Sequence, residues 1–361
     1  MNVYLLPCLL LLTGCVTTVT VNPKLAPPAA TEAVDPGTLI NFDDAETSEQ
    51  ELRALAEDAS GPYKLEVLTQ VARAQGLQGR YDEAHATLDQ VEATLPEAGS
   101  LVRIRYLLER GRVFNSSGDT DAAAPLFEQA FELGTTHGPA HLTIDAAHMV
   151  AIASQGTPAE LTWGLKGLAL AEASDDPRAR SWLGPLYNNL GWTYHDQGEF
   201  DKALDLFQKG LAIRRKDGDE GATYLARWAV ARCLRSLGRY QKALDIQTQL
   251  EAEGARRGEP DGYVFEELGE LYLVKGDADA ARAWFQRALV LLEADEWLVA
   301  NERERIERIR ELAGGAADTQ ETAPGTRDDP SVEENGGDEE EFEPDDDDGD
   351  DEVDHGPEVD M

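Results

Sequence analysis

The sequence predicts an all-α chain in which short helix hairpins stack into a solenoid. Three observations carry this. Residues 187–211 read as two amphipathic helices around a turn at Gln197-Gly198, with Leu190, Gly191 and Tyr194 on one face and Ala203, Phe207 and Leu211 on the other. Small residues at Gly191 and Ala203 let the two axes approach, and Tyr194 and Phe207 fill the space beside the contact. The pattern then recurs with small first-helix residues near positions 72, 111, 149, 191, 231 and 269, spaced 38 to 42 residues apart. Finally, one hairpin cannot bury its own apolar faces, so recurrence implies stacking with neighbour contacts only.

In chain order, residues 1–14 read as a secretory signal, too short to span a bilayer as a permanent helix. Residues 15–46 are rich in Thr, Pro and Ala without an apolar period, and predict an extended tether. The solenoid is expected over 47–313. Ser48-Glu49-Gln50-Glu51 offers a capping box for a first helix carrying Leu52 and Leu55. Repeats follow with Ala72, Gly79, Tyr81, Ala84 and Leu88; with Gly111, Phe114, Gly118, Ala123 and Phe127; and, more weakly, with Met149, Gly156, Leu161, Leu165 and Leu168. After the 187–211 hairpin come Ala231, Leu234, Gly238, Ala243 and Leu250, then Leu268, Gly269, Tyr272, Gly276, Ala281 and Phe285. A charged helix over 297–312, with Trp297, Leu298, Ile306, Ile309 and Leu312, closes the array with a polar outer face. Residues 314–361 hold 21 Asp or Glu and one basic residue, Arg327, with almost no apolar content. Such a segment cannot offset the entropy of folding and is expected to be a disordered acidic tail.

The alternation of Leu190-Gly191-Trp192-Thr193-Tyr194 with Ala203 and Phe207, and of Leu268-Gly269-Glu270-Leu271-Tyr272 with Ala281 and Phe285, resembles the tetratricopeptide repeat family. The resemblance implies a right-handed α-solenoid that binds a protein or peptide in its concave groove. The period exceeds the usual 34 and, with Asn188-Asn189-Leu190, is similar to the longer repeats of kinesin light chains. At the N-terminus, Leu12-Thr13-Gly14-Cys15 resembles the lipobox of bacterial lipoproteins, which implies lipidation at Cys15 and attachment to a membrane. Two or three acyl chains exceed what stable anchoring needs, at about 0.8 kcal/mol per buried methylene. Val16 rather than Asp after the cysteine leans, by resemblance to enteric lipoproteins, toward the outer membrane.

The net charge of −38, from 70 acidic and 32 basic residues, argues against a nucleic-acid partner, whose phosphates would be repelled. Cys8, Cys15 and Cys233 make no disulfide framework, and Cys233 reads as a small buried hydrophobe. No phosphate-cradling glycine loop, G-x-S-x-G or H-E-x-x-H is present, so neither catalysis nor a cofactor is expected. Gly138 and Pro139 separate His137 from His141 and prevent a helix face from presenting both to a metal. The tail run at 345–352 does not fit a calcium loop, because aligning Gly349 puts Pro344 at the first ligand and His355 at the last.

By the resemblance, first-helix residues one place after the small residue, and four places on either side, line the groove. These include Arg73, Arg112, Trp192, Arg232 and Glu270, then Thr69, Leu108, Asn188, Trp228 and Glu266, with His195, Arg105 and Arg235 beside them. Two readings stand for the arginines: solvated charges on exposed helix faces, or a clamp for carboxylates with Trp192 and Trp228 as flat anchors. The tail likewise is either a solubilising brush or an acidic segment that visits the groove near Arg232 and Arg235. The expectation for the whole is a membrane-anchored, non-catalytic interaction scaffold of the bacterial envelope. The alternatives are a secreted peptide-binding protein and an accessory subunit of an envelope enzyme or assembly machine.

Overall fold

The computed structural model of the protein describes residues 34–314. Among these residues the regular structure is entirely helical. Helix α1 (Ala45–Asp58) precedes six hairpins. They are α2 (Gly61–Leu77) with α3 (Tyr81–Glu92), α4 (Ser100–Ser116) with α5 (Thr120–His137), and α6 (Ala140–Ala153) with α7 (Pro158–Ala173). After the short α8 (Pro177–Arg180) come α9 (Leu183–Asp196) with α10 (Phe200–Asp217), α11 (Glu220–Ser236) with α12 (Tyr240–Arg257), and α13 (Gly262–Val274) with α14 (Ala278–Leu292). Helices α15 (Glu296–Asn301) and α16 (Arg303–Leu312) close the array.

The sequence sets each hairpin in two ways. Chain reversal between α9 and α10 needs a left-handed residue, supplied by Gly198 at φ 77°, and Glu199 N–H then donates to the Tyr194 carbonyl at 2.9 Å. Two second helices start on an Asp whose carboxylate accepts from the first turn: Asp119 from Ala122 N–H and Asp277 from Ala280 N–H. Within the hairpin the small residue sets the spacing. A Cβ added at Gly191 would lie 2.5 Å from the Phe207 ring, one at Gly111 2.5 Å from Phe127, and one at Gly269 2.8 Å from Phe285. All three phenylalanines are buried, so the glycine is the notch into which the ring fits.

First helices of neighbouring hairpins touch directly, as α2 with α4, α4 with α6 and α11 with α13, and successive second helices nowhere pack as closely. The first helices therefore form the inner row of the curved stack. Helix α16 extends that row, since it packs on α14 and its arginines reach α13.

Four local expectations are revised. The first helix is capped by Asp44, which accepts from Thr47 N–H, and Ser48 lies inside α1 with its hydroxyl donating to the Asp44 carbonyl. Residues 34–46, expected as part of the tether, are packed: a 3-10 turn at Pro36–Leu39 buries Pro36, and Leu39 and Ile40 lie against the Leu52/Val67/Val71 cluster. The closing helix is broken at Glu302 into α15 and α16. In the third hairpin Leu165 is exposed, and the close approach belongs to Gly164, where a Cβ would meet Leu190 at 2.7 Å. The signal segment, Cys15 and the acidic tail beyond Gly314 lie outside the described residues.

Candidate functional site

The predicted groove residues sit on the inner row, and the structure joins them into a ladder of polar rungs between successive first helices. Arg73 Nη1 donates to Glu109 Oε2 at 3.2 Å, linking α2 to α4. Arg112 donates to Glu109 Oε1 at 2.8 Å and forks onto Asp145 of α6. His148 and Asn189 pair at 2.8 Å between α6 and α9, and His195 Nε2 pairs with Ser236 Oγ at 2.9 Å between α9 and α11. Arg235 grips Glu267 of α13 through two bonds of 2.8 Å, and Arg232 Nε lies 3.0 Å from the same carboxylate. Glu266 then receives Arg305, and Glu270 receives Arg308, from α16.

This changes what the arginines offer. They face inward, but each carries an internal carboxylate, so no free guanidinium clamp forms from Arg73, Arg112, Arg232 and Arg235. Burial works against the charge of Arg112, yet Asp145 and Glu109 outweigh it and hold its pKa above the ordinary arginine range. Arg235 is likewise raised, with burial opposed by Glu267. Arg73 and Arg232 are lowered, in both cases chiefly by burial. Burial would also raise Glu267, but Arg235 and Arg232 reverse this and leave its pKa depressed. His148 has lost its solvation and is pushed down to about 4, so it is neutral at pH 7.

Sequence reasoning missed the counter-charges. Many of these partners stand two places before the small residue: Gln70, Glu109, Asn189 and Glu267. That polar position inside an otherwise apolar face was the available signal. Five predicted lining positions are corrected: Thr69 and Leu108 are buried in the core, one residue short of the ladder positions Gln70 and Glu109, Trp228 is buried as well, and Arg105 and Glu266 are buried under their ion-pair partners. His141, set aside as a metal ligand, instead lies 3.8 Å from the Asp35 carboxylate. Among the described residues no cluster of His, Cys, Asp or Glu suits a metal ion. None of the described helices is long and apolar enough to cross a membrane.

The aromatic expectations fare differently. Trp192 and Trp228 come together at 5.9 Å between ring centroids, and Tyr263 continues the row at 6.3 Å from Trp228. Phe207 and His195 buttress Trp192 from behind at 4.9 and 5.3 Å. Asn188, half-buried, stands one turn before Trp192 and donates to the Asn189 side chain at 3.2 Å. The Trp228 indole N–H is buried without an acceptor. Trp228 is itself buried, so the apolar surface here is a narrow strip of Trp192 and Tyr263 beside the Arg235–Glu267 rung.

The opposite half of the row holds a cavity of about 300 Å³ between Phe42, Arg73, Arg112, His148, Met149 and Trp182. Phe42 comes from the packed N-terminal segment, with the Arg73 guanidinium 5.5 Å above its ring. A second cavity, of about 440 Å³, lies at Tyr224, Pro260 and Leu292, and no predicted site residue lines it.

Comparison with known proteins agrees with this geometry. Tetratricopeptide repeat models match residues 67–90, 185–252 and 249–296, so these stretches are tetratricopeptide repeats. The apo form of RapI is similar at TM-score 0.60 and 11% identity, over 77% of this chain and 79% of that one. A Rap protein complexed with the competence and sporulation factor is similar at TM-score 0.54 and 17% identity, over the same shares. A kinesin light chain-like protein of Podosopora anserina with TPR-like repeats aligns at TM-score 0.46 and 20% identity, over 55% of this chain and 99% of that one. At these identities the likeness is one of fold. A search of curated proteins finds no match.

Proposed function

We propose that this protein is a non-catalytic scaffold that holds an extended segment of a partner protein along its inner row, seated on Trp192 and Tyr263, with Trp228 buried between them. The carrying observation is the contrast between the charged and the aromatic groups of that row. The arginines are matched by internal acids, whereas Trp192 and Tyr263 keep part of their rings uncovered. Large aromatic side chains supply contact area at small entropic cost, and Trp192 and Tyr263 are the rings of this row that a partner segment can reach. The Rap protein seen with the competence and sporulation factor supports the idea that such arrays serve as binding proteins. With the ladder arginines neutralised, the partner segment is read by apolar contact and backbone hydrogen bonds more than by carboxylates.

The same proposal places the scaffold at a bacterial envelope membrane, the outer one before the inner, held by lipid on Cys15. The support is the Leu12-Thr13-Gly14-Cys15 motif and the anchoring strength of two or more chains.

The test is site-specific crosslinking in intact cells. A photoreactive residue at Asn188 is expected to capture a defined partner, and one at Lys209, exposed on the outer helix α10, is not. Equal labelling from both positions would refute the floor as the binding surface. Cys15→Ala is expected to release the protein from the membrane fraction or leave an unprocessed precursor; unchanged acylation and retention would end the anchoring claim.

A further inference from the structure

The protein's own residues 34–42 cross the inner row at its N-terminal end as a bound peptide would. The segment is fixed first by the Tyr63 hydroxyl, which donates to the Val34 carbonyl at 2.9 Å. The Asp35 carboxylate then meets cationic or ionisable groups from three separate elements: Arg105 of α4 at 2.6 Å, Arg178 of α8 at 3.6 Å and His141 of α6 at 3.8 Å. Opposing them, Glu66 lies 3.4 Å from Arg105, and Asp176 lies 3.6 Å from Arg178 and 4.0 Å from His141. Gly37 follows, where a Cβ would lie 3.3 Å from Asp35 Oδ1 and 3.4 Å from Arg105 Nη1, a close fit against the cradle. Pro36 is buried, and Phe42 ends the crossing beneath Arg73 at the mouth of the 300 Å³ cavity.

Two features mark this as a receptor site instead of ordinary core packing. Arg105 is only 6% exposed, and without Asp35 its remaining carboxylate partner is Glu66. The cradle would keep its attraction for an anion, because an under-compensated buried guanidinium is costly. His141 Nδ1 is also buried with no hydrogen-bond partner. The segment itself is held lightly: it is one short 3-10 turn, Pro36 is its one fully buried residue, and Leu39, Ile40 and Phe42 are half covered. A stretch with so few buried apolar contacts detaches locally at far lower cost than a repeat unfolds.

We infer that the inner face of α2, α4 and α6, together with Arg178, is a second peptide site, separate from the aromatic floor. Residues 34–42 fill it in cis, and an unstructured partner segment of the same chemistry competes for it: an Asp followed by Pro-Gly and then apolar residues. The tether makes the cis segment a strong competitor, since its effective concentration is on the order of millimolar. Access to this half of the row is thereby gated by the chain's own N-terminal strap.

The probe is a labelled synthetic peptide with the sequence of residues 33–43, titrated against the full chain by fluorescence anisotropy. Loosening the strap with Asp35→Ala and Phe42→Ala is expected to tighten peptide binding at least tenfold over the unaltered protein. A peptide whose Asp is replaced by Ala is expected to bind the loosened protein at least fivefold more weakly. Adding Arg178→Ala, an exposed position that tolerates change, is expected to weaken it a few-fold. Adding Trp192→Ala is expected to leave it unchanged, which separates this site from the aromatic floor. Equal affinity for the loosened and unaltered proteins, or binding to neither, overturns the inference. So does a loosened protein that dimerises by exchanging straps, or a peptide that follows Trp192 instead of Arg178.

Discussion

Gly191→Ala is the sharpest test of how the hairpins are spaced. The new Cβ would lie 2.5, 2.7 and 3.0 Å from Cε1, Cδ1 and Cζ of Phe207, well inside the 3.5–4.0 Å at which carbon atoms attract. The ring cannot simply swing away, because Phe207 is 2% exposed and Trp192 packs edge-on against it at 4.9 Å. Overpacking of this kind costs about 1–3 kcal/mol, while alanine returns up to about 1 kcal/mol of helix propensity. A net loss of about 1–2 kcal/mol is expected, seen as a melting temperature lower by roughly 2–8 °C in calorimetry. Gly221→Ala in α11 is the control, since its nearest neighbour is Asp219 Oδ1 at 3.6 Å, and no loss is expected there. Combining Gly191→Ala with Phe207→Leu should recover at least about 1 kcal/mol relative to the sum of the single changes. If Gly191→Ala proves as stable as the parent, the glycine does not set the helix separation and the notch argument fails.

Three further outcomes follow from the same packing. Phe207→Ala should cost roughly 3–5 kcal/mol, with amide exchange rising mainly across 187–253; a loss under about 1 kcal/mol would contradict its burial. Glu267→Ala strands two largely covered guanidiniums and should cost about 2–4 kcal/mol, toward the lower end because Glu270 remains 3.7 Å from Arg235; urea titration checks this, and a neutral result would show the rung to be idle. His148, neutral in the fold with a pKa of about 4, takes up its proton more readily when unfolded, so its contribution is complete above pH 6.5 and is lost as pH falls toward 4. Replacing it with Gln should flatten the stability-against-pH curve in that window by on the order of 2–3 kcal/mol, and an unchanged curve would refute the assignment. The depressed Glu267 acts in the same direction at lower pH, its stabilisation present above its ordinary range near 4.5 and lost as pH falls below it.

Helix pairing was legible because it is written in local signals: the Gly198 turn, the Gly191 notch and the Phe207 that fills it all lie within one hairpin. The capping position at Asp44 was missed because Ser48 through Glu51 offered a competing box with equal local merit, and only the packing of α1 decides between them. The inward direction of Arg73, Arg112, Arg232 and Arg235 followed from periodicity. Their neutralisation did not, since each has a partner 32 to 36 residues away in the next first helix. The strap at 34–42 was invisible for the same reason. A Pro- and Thr-rich stretch carries no helical period, and Arg105, 70 residues on, gives Asp35 its place.

The polar ladder makes the repeats non-interchangeable. Each first helix presents one set of groups to its predecessor and another to its successor: Arg112 reaches forward to Asp145, while Glu109 of the same helix receives Arg73 from behind. Removing the third hairpin would set Arg112 against Asn189 and leave that rung without its carboxylate. The apolar notches are generic and would accept any order, but the charges would not. The linear order of the hairpins is thus partly encoded in their side chains, because only those cuts that keep a carboxylate facing each ladder arginine preserve the rungs.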